Sequence, residues 1–291
     1  MAPPPSGAAT TVRAPARPSR RAAVAVVAAA AVVAVAVVLA FVLHGPRASF
    51  GYDDPFGGFS RGSAAPASAD GHVGGAPDPT KDLTHFLTFV VGDVQRFWAA
   101  EFARAHMPYR PADVVVFREV TQSGCGPATV ATGPFYCPLD RTVYLEAGFF
   151  DELATVFRAP GDFADAYVVA HELGHHVQTL AGITPQVDRA MAQEPAIRNP
   201  LSVRLELQAD CLAGVWGHST YDRGLIQRGD LAEALRAAAA VGDDRIQAMT
   251  TGRIDPETWT HGSSAQRESW YLRGFDAGDP RACDTFSAAQ V

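Results

Sequence analysis

Two histidines four residues apart, with a glutamate beside the first, constrain this chain more than any other stretch: His171-Glu172-Leu173-Gly174-His175. The pattern is chemically useful on a helix, where positions i and i+4 share a face and both imidazoles can reach one zinc ion. Glu172 then lies on the same turn, able to address water at that ion. A fold that uses the motif must supply the helix, a third ligand from elsewhere in the chain and a dry scaffold around them.

A catalytic zinc usually takes three protein ligands and keeps one position open for water. The long pattern that continues with Gly and then His on the same segment is excluded, because Gln178 and Ala181 stand at those positions. The inverted arrangement, H-x-x-E-H, is absent. A glutamate on a separate downstream helix remains, and Glu206-Leu207-Gln208-Ala209-Asp210 fits it. Glu206 and Asp210 are one helical turn apart and share a face, while Leu205 and Leu207 can pack away from the ion. The expected set is one Zn2+ on His171, His175 and Glu206, with Glu172 as the general base that later passes its proton to the leaving amine. Asp210 is expected to accept a hydrogen bond from the non-ligating nitrogen of a liganding histidine.

The other polar candidates are more open. His176 is about 100° round the helix from His175, so it lines the cleft or bonds supporting groups rather than sharing the ion. His218 and His261 sit in polar turn sequences, and Tyr144, Tyr167 and Tyr221 are further donors for a developing oxyanion. His261 leads that group and is taken as the second catalytic candidate. Arg267 is either a cleft cation or half of a buried ion pair. Val143-Tyr144-Leu145 reads as an edge strand able to pair with an extended peptide.

Residues 22–43 carry no charge and are almost entirely Ala, Val, Leu and Phe. As a helix they rise about 33 Å, against a bilayer core of about 30 Å. Arg13, Arg17, Arg20 and Arg21 precede them with no acid among them, which places the N-terminus in the cytoplasm. A cleaved signal peptide is the competing reading, with a shorter apolar region of about 7 to 15 residues. The chain is thus read as a single-pass membrane protein: a basic cytoplasmic tail over 1–21, an anchor over 22–43, a flexible linker over 44–79 and an extracytoplasmic catalytic domain over 80–291.

The part beyond the anchor holds 20 Lys or Arg against 31 Asp or Glu, with no basic stripe interleaved with aromatics, so no nucleic-acid partner is expected. Four cysteines suit an oxidising compartment. Cys125 and Cys137 bracket a Gly- and Pro-containing loop and are expected to form a local bridge, which leaves Cys211 and Cys283 to pair over a long separation. Three pairings are formally open, and a four-cysteine zinc site competes, although no C-x2-C half is present.

Within the domain, apolar residues from Leu83 to Trp98 recur at helical spacing and predict a helix over 81–105. Val114–Phe117 and Thr142–Leu145 read as strands, and 148–157, 163–180 and 201–216 as helices. Asp230 and Glu233 read as a capping box ahead of Leu231 and the alanine run. The fold class is α+β, mostly helical with a small sheet, preceded by one transmembrane helix.

These blocks together resemble the bacterial neutral zinc metallopeptidase family. The resemblance runs from about residue 81 to Phe286 and is carried by Cys125-Gly126, Gly133 to Pro138, Val143 to Leu145, Gly161 to Ala164, Tyr167-Val168, His171 to Gln178, Glu206 to Trp216, Gly242 to Asp244, Thr260 to Gly262, Ser264 to Arg267, and Cys283 to Phe286. It implies a zincin-like domain of the gluzincin type, with His171, His175 and Glu206 as ligands, Glu172 as base, an N-terminal anchor or signal, and four cysteines in this arrangement. It implies a peptide or protein substrate without identifying one. Two other readings compete: an inactive envelope protein that keeps a structural metal site, and a metal-dependent amidase acting on cell-wall peptides.

Overall fold

The computed structural model describes residues 51–59 and 83–291 of the chain. The predicted cytoplasmic tail and anchor lie outside the described residues. Among the described residues, no helix is long and apolar enough to cross a membrane.

Eight α-helices and five short strands make up the described part: α1 Leu83–Arg104, β1 Asp113–Phe117, β2 Val120–Ser123, β3 Gly126–Thr129, β4 Phe135–Cys137, β5 Thr142–Glu146, α2 Ala147–Thr155, α3 Asp162–Leu180, α4 Ile183–Gln193, α5 Arg198–Asp222, α6 Arg228–Ala240, α7 Asp243–Thr250 and α8 Ser264–Ala277. The protein is predominantly helical with a small mixed sheet. The sheet order is β1-β5-β4, with β1 parallel and β4 antiparallel to β5, and β2 and β3 form a separate hairpin.

The expected edge strand at Val143–Leu145 is a correction. It belongs to β5, which is hydrogen-bonded on both sides and buried throughout. An unbroken run of Thr142, Val143, Tyr144 and Leu145, with no polar alternation, belongs to a strand covered on both faces. Asp140 organises its start, accepting from the Gly124 amide at 2.6 Å, the Thr142 amide at 3.1 Å and the Tyr144 hydroxyl at 2.8 Å.

α3 carries the motif and is the central helix. Every residue from Ala166 to Gly174 is buried, so it lacks the polar stripe of a surface helix and is surrounded by α1, α5 and α6. Its N-terminal turn is satisfied from outside the segment. Glu233 of α6 places its carboxylate 3.2 Å from the Phe163 amide, across a Gly161 whose φ of 134° and missing Cβ admit it. The expected pairing of Asp230 with Glu233 as a capping box is therefore corrected. Asp230 turns back to the Gln227 amide at 2.8 Å, one turn earlier, and Glu233 is free to serve α3.

α5 and α8 approach backbone to backbone. A Cβ built on Gly214 would meet the Tyr271 carbonyl at 2.1 Å, and one on Gly274 the Cys211 carbonyl at 1.9 Å. Gly174 plays a similar part between α3 and α5, where a Cβ would lie 3.0 Å from the Ala209 carbonyl. This crossing brings the turn from Glu206 to Asp210 against His171.

Both expected bridges are formed, Cys125–Cys137 and Cys211–Cys283. The span read as a flexible linker needs correcting over Tyr52–Phe59. A short 3-10 turn at Pro55–Gly58 buries Phe56 and Phe59 completely or nearly so, with Phe59 against Phe102 and Tyr52 stacked on Phe286 at 4.6 Å. Three aromatics repay ordering even in a Gly- and Ser-rich stretch, because each buries far more apolar area than its neighbours.

Candidate metal centre

His171, His175 and Glu206 converge, with one candidate ligand atom from each lying within 4.8 Å of the others. His171 Nε2 is 3.2 Å from Glu206 Oε2, and His175 Nε2 is 3.4 Å from Glu206 Oε1. Ligands held about 2.0 to 2.2 Å from a tetrahedral zinc are separated by about 3.3 to 3.5 Å, so these spacings suit one such ion.

The protons support the same conclusion. His171 Nδ1 lies 2.8 Å from Asp210 Oδ1, and an ionised carboxylate only accepts, so Nδ1 carries the hydrogen. His175 Nδ1 lies 2.8 Å from Gln178 Oε1, whose own amide nitrogen is committed to the Leu205 carbonyl at 2.7 Å. With Nδ1 committed on each ring, both histidines turn Nε2 toward the Glu206 carboxylate. A cation bound there would take Nε2 of both rings and the Glu206 carboxylate as its donors. The donor set fits zinc.

Behind His171 is a fully buried charge cluster. Asp210 accepts from the Tyr167 hydroxyl at 2.6 Å and from Arg267 at 2.8 and 2.9 Å. Burial opposes ionisation of Asp210, but the charges of Arg267 and His171 outweigh it and hold the carboxyl below its usual range. Arg267 is thus the buried ion-pair alternative rather than a cleft cation. Glu172 is also buried, and among the described residues its carboxylate has no hydrogen bond or ion pair. Burial raises its pKa, with the nearby histidines partly opposing the shift.

The remaining candidates separate clearly. His176 is structural, with Nε2 2.7 Å from the Arg110 carbonyl and Nδ1 3.1 Å from the Tyr136 hydroxyl. It pins β4 and the approach to β1 onto α3, and burial lowers its pKa, keeping it neutral. His218 holds the Phe275 carbonyl at 2.6 Å and Asp222 at 3.3 Å near the end of α5. Tyr144 is spent on Asp140 and Tyr167 on Asp210, while Tyr221 is exposed at the end of α5.

His261 is half-exposed, with Nδ1 3.2 Å from Asp243 Oδ1. The other oxygen of Asp243 gathers the backbone amides of Thr260, His261 and Gly262 at 2.7 to 3.0 Å. The bond to Asp243 raises the pKa of His261, burial opposes it, and the charge of Glu206 adds to the rise. The loop is thereby held within electrostatic reach of the metal ligands.

Asp243, Gln178 and Gln208 escaped sequence reasoning. Only their place beside the motif and the Glu206 turn, or inside a Gly-Asp-Asp block, marked them.

A profile of the family described as "Putative neutral zinc metallopeptidase" matches residues 16–286. The chain belongs to this family. Curated relatives of this metallopeptidase include the uncharacterized protein YpfJ of Escherichia coli strain K12, 49% identical over 211 residues that span 72% of this chain and 73% of the relative. An uncharacterized protein of Mycobacterium tuberculosis strain H37Rv is 52% identical over 181 residues, covering 58% and 60% of the two chains. No solved structure matches the chain at a significant level. Family membership and the assembled His, His and Glu cluster make the protein a zinc-dependent metallopeptidase with one catalytic zinc site.

Proposed function

We propose that this metallopeptidase hydrolyses peptide bonds of peptides or proteins outside the cytoplasm, tethered by an anchor at residues 22–43 with the N-terminus inside. The apolar run with arginines only on its N-terminal side supports the topology. Two formed disulfides support an oxidising compartment.

In this reading His171, His175 and Glu206 hold the ion and Asp210 fixes the His171 tautomer. Bound zinc supplies Lewis acidity that brings the ionisation of water close to neutral pH. Glu172 accepts the proton from that water and delivers it to the amine that departs. The bond to Asp243 favours the doubly protonated ring of His261, whose Nε2–H is then free to donate to the oxygen that becomes negative at the scissile carbonyl. The observation that carries the proposal is the Glu172 carboxylate, which has no hydrogen-bond or ion-pair partner among the described residues and stands on the same helical turn as a complete ligand set. A structural metal site has no use for such a group.

The test uses the full zinc-loaded chain and a mixed peptide library. Glu172→Gln is expected to lower cleavage by at least about 100-fold while zinc content stays at one ion per chain. His261→Ala is expected to lower kcat by about 10²- to 10³-fold with zinc retained. Wild-type turnover by Glu172→Gln would sink the base assignment, and unchanged kcat in His261→Ala would remove His261 from the chemistry.

A further inference from the structure

The two histidines of the motif are oriented by different chemistry. His171 leans on an anion, whereas His175 leans on a neutral amide, Gln178. Gln178 is completely buried, and its nitrogen donates to the Leu205 carbonyl at 2.7 Å and to Gln208 Oε1 at 3.1 Å. Gln208, also completely buried, donates from its own nitrogen to the Cys283 carbonyl at 3.0 Å and the Tyr52 hydroxyl at 3.2 Å. The Cys283 carbonyl is in turn held in place by the bridge from Cys283 to Cys211 on α5.

Each link dictates the next. A primary amide has one accepting end and one donating end. With the Gln208 nitrogen committed to two oxygens, its carbonyl must face Gln178. With the Gln178 nitrogen facing Gln208 and Leu205, its carbonyl must face His175. His175 must then carry its hydrogen on Nδ1 and present Nε2 to the ion. Reversing either amide would set donor against donor or acceptor against acceptor in a buried site, at a cost of about 1 to 3 kcal/mol per unsatisfied group.

We infer that Gln178 and Gln208 are positioning residues for the zinc ligand His175, forming an uncharged relay whose far end is the Cys283 carbonyl. The inference rests on the reading of His171, His175 and Glu206 as the zinc ligands. Neutrality gives the relay a specific value. It sets the tautomer without adding a second anion beside the one that Arg267 already balances at Asp210.

The experiment uses the full chain, with zinc affinity measured by chelator competition, the visible spectrum of the Co2+-substituted protein, and thermal unfolding without metal. Gln178→Leu and Gln208→Leu are each expected to weaken zinc binding by about 10- to 100-fold and to alter the cobalt bands. Gln178→Met keeps most of the side-chain volume but offers no amide, and is expected to lose as much zinc affinity as Gln178→Leu. Folded leucine variants with wild-type affinity and spectrum would overturn the relay. So would Gln178→Met keeping wild-type affinity while Gln178→Leu loses it, since packing would then be the cause. Failure of the wild-type chain to bind one zinc would instead overturn the ligand assignment beneath it.

Discussion

Arg267 grips Asp210 at two points, Nε 2.8 Å from Oδ2 and Nη2 2.9 Å from Oδ1, directly behind the histidine that Asp210 orients. Both partners are buried, so each needs the other: an isolated charge there has no water to turn to. Arg267→Leu is expected to cost about 3 to 5 kcal/mol, because it strands the carboxylate. Arg267→Leu combined with Asp210→Asn should cost less than the arginine change alone. Denaturant unfolding of both variants checks this, and equal losses would show that packing rather than charge dominates.

The crossing of α5 and α8 predicts a second, purely steric effect. Gly274→Ala would drive a methyl group to 1.9 Å from the Cys211 carbonyl, where nothing flexible can yield. A loss of at least about 3 kcal/mol is expected, at the upper end of overpacking effects. Gly229→Ala, with open space around its Cβ position, is the control and should change the melting temperature little. Equal behaviour of the two variants would contradict the close approach.

Removing the carboxylate that Glu233 lends to α3 should loosen the first turn of the motif helix. Glu233→Ala is expected to cost about 1 kcal/mol, as for the loss of a helix cap. Hydrogen exchange should quicken at the Phe163 amide before it quickens at the motif. Unchanged exchange there would mean that the cap contributes nothing.

Asp165 supplies a pH dependence. Burial first, and then the charges of Asp162, Asp151 and Glu233, push its pKa up to about 7 from 3.8. The folded state therefore holds a proton that the unfolded state has already released between those values. Stability falls as pH rises through this window, and the deficit is complete above about pH 7. Asp165→Asn should raise the melting temperature at pH 8, by the equivalent of about 1 kcal/mol after solvent screening, and should have little effect near pH 4. A gain that does not vary with pH would rule out the carboxylate as its source.

Local order was largely legible because it follows from local pattern. The helical period from Leu83 to Trp98, the β-branched run at Val114 to Phe117 and the motif helix all appear where the sequence predicts them. Glu206 was legible because three-ligand zinc chemistry demands one more donor and few segments offer it. The edge-strand reading of Val143–Leu145 failed because strand order depends on which segments pair, and no single segment records that. Glu233 was assigned to its own helix because a capping box is a local pattern, whereas its partner amide lies 70 residues away.

By itself, the sequence determined the chemistry available: two imidazoles and a carboxylate at helical spacing, a pair of carboxylates on a later helix, and four cysteines. Tertiary structure alone decided how those groups are held. It made Arg267 the counter-charge of Asp210, spent Tyr167 and His176 on scaffolding, and joined Gln178 to Gln208 behind His175. The physical reason is that an ion pair or a hydrogen bond in a buried site is fixed by position to within tenths of an ångström. Those positions come from backbones brought together at Gly174, Gly214 and Gly274, where the absence of a side chain is all that the sequence shows.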